Sequence, residues 1–526
     1  MSVYVSLHID PEHIDSDRWR TVYQQTLQLL KAWQGDLFAA RQENRGPHTR
    51  TVLSRKLLCH NGQRGDSCWT VCGDFESKQY GEPFVLHADL NQYRHRGSQL
   101  PMATTDDILS RIVGESTPNY AKVFHQKTQG LPYHIVVLAA AMWIEHNFPK
   151  SAFLSGDIDK AQCQKAARYI SNNLGEEVLL PVCVSPDQLL SRLSYFSDGF
   201  ERLDYFIKVY RGTYTESLSS LFQYVDQGVV STWFARELQK YGDPNQFGAI
   251  DWFNAWLNAC EDLEALCYLA CVNENGPRFP ASSFGTALAA TWIGVPRSHR
   301  EVIDAFHRPE GEPETVHSQF GGIFLDMSGL KGRHIQAYLP MAQIVSVLHE
   351  SFSQQAHAVI ANFQEKQEEA IGLLAQIKEP AEALAYSRDD ALIPIMDGME
   401  FMNIGHPAGL SEKYTTWLDV MAKLVYQWRQ DASHYASSNM DHASLIDLLW
   451  HLADRNHIVL SEDAWSWLEE EEDLELLLTA AALMSQTDNE EKFVNIRWAV
   501  LENRSLCDFV GNRSYEDLMV EEEKIY

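Results

Sequence analysis

The chain has 526 residues and a formal net charge of −29, a field that repels nucleic-acid phosphates and attracts basic partners. Its 45% hydrophobic and 22% charged residues are those of a globular protein, which argues against general disorder, and a chain longer than ~250–300 residues is expected to form several domains. Nine cysteines, sparse and odd in number, argue against a secreted disulfide framework; with no signal-like segment and no apolar run near the ~20 residues a bilayer requires, a cytoplasmic location without membrane association is expected.

Val3 to Ile9 alternates in character and ends at Asp10-Pro11, which predicts a strand and a turn. A helix is expected from Ser16 to about Ala40. The run Asn61-Gly62-Gln63-Arg64-Gly65-Asp66 predicts a loop between strands Thr51–His60 and Ser67–Gly73, with Cys59 opposite Cys68. After Gly130, Pro132 opens a helix running to about His146, which contains the most apolar stretch, Ile135 to Ile144. A short strand over 152–157, a helix over 159–174 and a strand over Val178–Val184 suggest a βαβ unit with a right-handed crossover. Ligands collect at strand ends in such sheets, and Asp157 stands at one.

Beyond Pro186 the period becomes helical, in segments near 186–195, 200–210, 214–225, 229–240, 250–272, 340–378, 411–437, 442–455 and 462–486. A Pro/Gly-rich stretch over 308–313 reads as a linker, Gly322–Met327 as an isolated strand, and Phe493–Glu502 with Leu506–Val510 as a closing strand pair. The expected fold class is an α+β or α/β N-terminal domain followed by a predominantly α-helical C-terminal region. The divisions are 1–185, a helical 186–310, and an acidic, mainly helical 311–526.

Two clusters invite chemistry. In Gly73-Asp74-Phe75-Glu76-Ser77-Lys78, two carboxylates and a lysine at alternate positions can hold a divalent cation and steady a developing anion. His125 and Lys127, with Asp157 on a neighbouring strand, can act as general base, anion binder and orienting group. The plainer readings, a polar turn and histidines packed on a helix, carry more weight, and the net charge opposes a nuclease. Zinc at Cys59, His60, Cys68 and Cys72 is disfavoured, because residues 68 and 72 of one strand lie ~13 Å apart. No cofactor is assigned; only a hydrolase reading calls for a divalent metal ion. Phosphate-loop, dinucleotide and Gly-x-Ser-x-Gly motifs do not occur.

The acidity is uneven. From Asp441 to Tyr526 there are 21 Asp and Glu against 6 Lys and Arg, a net −15. Within that stretch Trp465 and Trp467 precede Glu469, Glu470, Glu471, Glu472 and Asp473, and their odd spacing puts the two indoles on different faces of a helix. An exposed indole bordered by carboxylates would anchor a basic protein partner. The leading expectation is therefore an acidic protein-binding protein, in an immunity, inhibitor or adaptor role; the alternative is a metal-dependent hydrolase or nuclease centred on Asp74, Glu76 and Lys78.

Overall fold

The computed structural model describes residues 3–33, 37–54, 59–61, 67–75, 79–94, 107–114, 120–300, 332, 334–391, 412–432, 440–486 and 491–513. Glu76, Lys78, the 308–313 linker and the Gly322–Met327 strand lie outside them. A sheet-containing N-terminal region precedes a mostly helical remainder, as the composition and periodicity imply. The chain forms two compact units, Met1–Ala32 with His87–Asp389, and Trp33–Leu86 with Asp390–Tyr526. Both are discontinuous in sequence.

The first unit begins with β1 (Tyr4–Ile9), which pairs antiparallel with both β7 (Ala121–Lys127) and β8 (Ala152–Gly156) to give the order β7-β1-β8. Val5, Leu7 and Ile9 are fully buried on one face, toward a layer of α1 (Ser16–Ala32), α3 (His134–Asn147) and α4 (Lys160–Leu174). α3 is buried at every position from His134 to Glu145; its apolar run is a core helix, and among the described residues no helix is long and apolar enough to cross a membrane. α2 (Ile108–Gly114) packs beside β8, and its Arg111 forms a buried ion pair with Asp10.

The expected βαβ crossover does not form. Residues 178–181 carry no strand and Val182–Val184 makes a single 3₁₀ turn, because Pro181 offers no N–H and the amides of Val184 and Ser185 bond locally to the carbonyls of Pro181 and Val182. With β8 antiparallel to β1, the strand-end argument for Asp157 no longer applies. Gly156, just before it, adopts φ +134°, and a Cβ there would meet the Tyr4 carbonyl oxygen at 2.4 Å. Gly156→Ala is expected to cost about 2–3 kcal/mol in urea denaturation through backbone strain and this overlap; a change within about 0.5 kcal/mol would show that the strand end relaxes freely.

The described residues from Pro186 onward in this unit form α5 (Pro186–Arg192), α6 (Gly199–Val209), α7 (Tyr214–Tyr224), α8 (Gln227–Leu238), α9 (Phe247–Cys260), α10 (Leu263–Cys271), α11 (Ala281–Ala290), the short α12 (Arg297–Arg300), α13 (Met341–Phe352) and α14 (Ala356–Ala391), with their connections. The expected 250–272 helix is two, because Glu261 turns left-handed at φ 55° and Asp262 caps the second by accepting from the Ala265 amide. Trp252 and Trp256 are core residues, packed with Trp233 and Phe234.

The second unit holds β2 (Leu37–Arg45), β3 (His48–Ser54), β4 (Cys59–Asn61), β5 (Ser67–Asp74), β6 (Gln79–His87) up to Leu86, and the three-residue β9 (Val459–Ser461). The order is β4-β5-β2-β3-β9, with β6 beside β5. α1 stops at Ala32 rather than Ala40, because Leu37–Ala39 joins this sheet. Cys59 faces Trp69 and His60 faces Cys68, one register step from expectation, since Asn61 pairs with Ser67 and shortens the loop. β9 lies parallel to β3, Val52 opposite Leu460.

Around this sheet pack α15 (Glu412–Ala432), α16 (His442–Arg455), α17 (Glu462–Glu470), α18 (Leu474–Ser485), α19 (Glu491–Glu502) and α20 (Arg504–Asn512). The last two replace the expected closing strands. Phe493, Ile496 and Val500 recur at helical spacing in the core, and Asn503 caps α20 through the amides of Ser505 and Leu506.

Candidate functional site

The acidic C-terminal helices already enclose a basic segment of their own chain. The β2–β3 hairpin, turned at Gly46 with φ 59°, carries Arg41, Arg45, His48 and Arg50. Arg45 pairs with Asp447 at 3.0 Å, His48 lies 3.7 Å from Asp454, and Arg41 reaches Glu462 at 3.6 Å. Arg50 is the most enclosed of them, its side chain 7% exposed. It donates to Glu43 at 2.7 and 3.0 Å and to Glu469 at 2.7 Å, and its guanidinium lies 3.9 Å from the Trp450 ring centre and 4.2 Å from that of Trp465. Burial opposes ionisation of Glu43, but the hydrogen bonds from Arg50 and Arg41 outweigh it and hold the carboxyl below its ordinary range.

This arrangement changes the reading of the proposed partner-binding residues. Trp465 is 2% exposed and sits in the core. Trp467 is partly buried and donates to the Leu501 carbonyl at 3.1 Å. Neither indole stands free beside the acidic run, because α17 is clasped between β3 and α19. Of the carboxylates, Glu469 serves Arg50 and also accepts from Trp450 Nε1 at 3.2 Å. Glu471 is 9% exposed, and Arg504 holds its carboxyl below the ordinary range. Glu470, Glu472 and Asp473 remain exposed, followed by Leu474 at 39% exposure and Glu475. Asp473 also caps α18, accepting from the Glu475 amide at 3.0 Å.

The six residues of the alternative site are distributed as follows. Asp74 ends β5 in the second unit and is fully buried. His125, Lys127 and Asp157 belong to the first unit, where the three-stranded sheet brings them around Tyr4 and Ser6. Lys127 is registered opposite Tyr4, His125 opposite Ser6, and the Asp157 carboxylate accepts from the Tyr4 amide at 3.2 Å. Among the described residues no group of three or more His, Cys, Asp or Glu side chains is placed to hold a metal ion. Cys72 is buried against the Phe38 carbonyl, and its thiol is pushed up to about 12 by that burial.

His134 does not face solvent. It is fully buried under the first unit's sheet, shares a 2.8 Å hydrogen bond with the Thr128 hydroxyl, and is held down to about 4 by burial. Comparison with family models, curated proteins and solved structures finds no match for this chain.

Sequence reading missed Arg50 and its hairpin, since a lone arginine in an alternating segment carries no local sign of the two indoles 400 residues away. It also missed Tyr4, Ser6, His8 and Lys122 beside His125. The alternation of Val3 to Ile9 marks one face of β1 as polar, and that signal was present.

Proposed function

We propose that the chain is a protein-binding protein that engages a basic partner through the junction between α17 and α18, acting in the cytoplasm in an immunity, inhibitor or adaptor role. The observation supporting this is the division of labour along residues 469–475. Glu469 and Glu471 are bound internally to Arg50 and Arg504, which anchors the turn, while Glu470 and Glu472 project outward beside Leu474, flanked by the exposed Asp473, which caps α18, and Glu475, whose exposed carboxylate lies 3.4 Å from Arg429. A carboxylate array on an anchored turn loses little conformational entropy on binding, and its field steers cations toward it.

The test uses poly-lysine as the cationic probe. Binding at about 50 mM salt should weaken at least tenfold at about 300 mM. The triple variant Glu470→Lys/Glu472→Lys/Glu475→Lys should lose about tenfold more affinity than a charge-matched control, Glu176→Lys/Glu177→Lys/Glu264→Lys, at exposed positions of the first unit. Equal losses in the two triples would reduce the interaction to net charge and remove the junction from the proposal.

The hydrolase reading draws its remaining support from the meeting of His125, Lys127 and Asp157 at one sheet. Asp74 is fully buried, so the protein-binding reading has the stronger support.

A further inference from the structure

The first unit's sheet has two unlike faces. Val5, Leu7 and Ile9 are buried toward the helices, so Tyr4, Ser6 and His8 line the opposite face. Residues directly opposed across an antiparallel ladder share a face, and the register therefore lays out three rows. Lys127 stands beside Tyr4; His125, Ser6 and Ser155 form the second row; Lys122, His8 and Phe153 form the third. Asp157 closes the first row from the β8 side. The β7 column is basic throughout, and Lys122, His125 and Lys127 are all exposed, on a chain whose net charge is −29.

The position of Lys122 depends on an irregularity. Residues 122 and 125 are three apart and would face opposite ways on a regular strand. The register shifts between Leu7 and His8, so that Val123 is left over and Lys122 returns to the face of His125. Bulges of this kind re-aim side chains beside functional sites. Below the basic column, Ser6 Oγ lies 3.2 Å from His125 Nδ1. His8 Nδ1 is enclosed with no hydrogen-bond partner among the described residues, an uncompensated polar atom of the sort found where a site is completed by something else. Tyr4 meets the His125 ring edge-on and Tyr120 meets His8 likewise, walling the face with aromatic groups. Burial first, and then the nearness of Lys122 and His125, hold His8 down to about 4.

We propose that this face carries an oxyanion site of the phosphate class, with Lys122 and Lys127 supplying charge, His125 supplying a hydrogen bond, and the buried Ser6 and partly buried His8 backing the His125 ring and Lys122 from beneath. Strands ~4.8 Å apart spread these donors over more than the two oxygens of a carboxylate can engage, whereas a phosphate presents three or four around one centre. Asp157, on the β8 side of the first row, repels an anion and biases it toward the basic β7 column. The site is independent of the acidic junction, and either can fail without the other.

The experiment titrates the full chain with inorganic phosphate at constant ionic strength and pH 7, following the imidazole resonances of His8 and His125 by NMR. Saturable shifts of both rings are expected, with affinity about tenfold lower in Lys122→Gln and in His125→Gln, both at exposed positions, and unchanged in Lys160→Gln on α4. Phenyl phosphate forms a second arm: tighter binding than phosphate assigns the organic part of a phosphomonoester to Tyr4 and Tyr120, and equal binding assigns the phosphate group alone. Shifts that do not saturate, or affinities equal in all variants, would overturn the proposal.

Discussion

Arg50→Ala is expected to destabilise the second unit by about 3 kcal/mol, lowering its urea midpoint and the hydrogen-exchange protection of the β2–β3 amides. Removing the guanidinium leaves Glu469 without its cation and Glu43 with Arg41 alone, and strips a cation from two indole rings at 3.9 and 4.2 Å. Breaking a wholly buried pair costs about 3–5 kcal/mol, but Glu43 and Glu469 are 26% and 37% exposed and partly rehydrate, so the lower end applies. Arg50→Lys should recover about half, because an ammonium keeps the charge but lacks the planar fork that reaches both carboxylates and lies against the rings. A loss under about 1 kcal/mol in Arg50→Ala would mean that the hairpin is held by its apolar face alone.

The second large effect is a pH profile shaped by opposing buried groups in the first unit. Burial holds His134 down to about 4, so between about 6.5 and 4 the unfolded chain binds a proton that the folded one does not, and stability falls as pH falls through that window. The loss from pH 8 to 4.5 is about 2–3 kcal/mol, and His8, also held at about 4, adds to it. Glu145 has the opposite sign. Burial pushes it up to about 7 against the lowering influence of Arg192 and the amides of Leu154 and Val182. It stays protonated in the folded state where the unfolded carboxyl ionises, so its contribution is lost as pH rises from about 4.5 through 7, again by about 3 kcal/mol. The two histidines together outweigh Glu145, so the wild type is expected to lose about 2 kcal/mol from pH 8 to 4.5. Glu145→Gln should steepen the acid loss, and His134→Asn should tilt the curve toward higher stability in acid, read from urea unfolding at pH 4.5, 6 and 8. Parallel profiles in all three proteins would show that neither group titrates differently on folding.

Much of the architecture was legible because it rests on local periodicity. The apolar run inside α3, the helices from Pro186 onward and the alternation in β1 all announce which side of an element is buried. Where the expectation differed, a nonlocal partner decided the outcome. Residues 178–184 have strand composition, but β8 already has β1 beside it and Pro181 interrupts the backbone donors. Phe493–Val510 is apolar enough for strands, yet its spacing also fits helices, and the α18 and β9 surfaces selected those. For the candidate sites, residue type located His125, Lys127 and Asp157, and topology alone showed that Tyr4, Ser6, His8 and Lys122 complete the same face.

The amino-acid sequence by itself determined the chain's acidity, its concentration after Asp441, the thiol-poor composition and the positions of most helices, because these follow from composition and short-range spacing. It did not determine which carboxylates are free. Trp465, Trp467, Glu469 and Glu471 look like a solvent-facing anchor in isolation. Only the tertiary structure turned these four inward, Trp465 and Glu469 against Arg50 of the β2–β3 hairpin, Trp467 against the Leu501 carbonyl and Glu471 against Arg504. Charge and aromaticity are properties of residues, but exposure is a property of contacts, and here the decisive contacts join segments separated by about 400 positions.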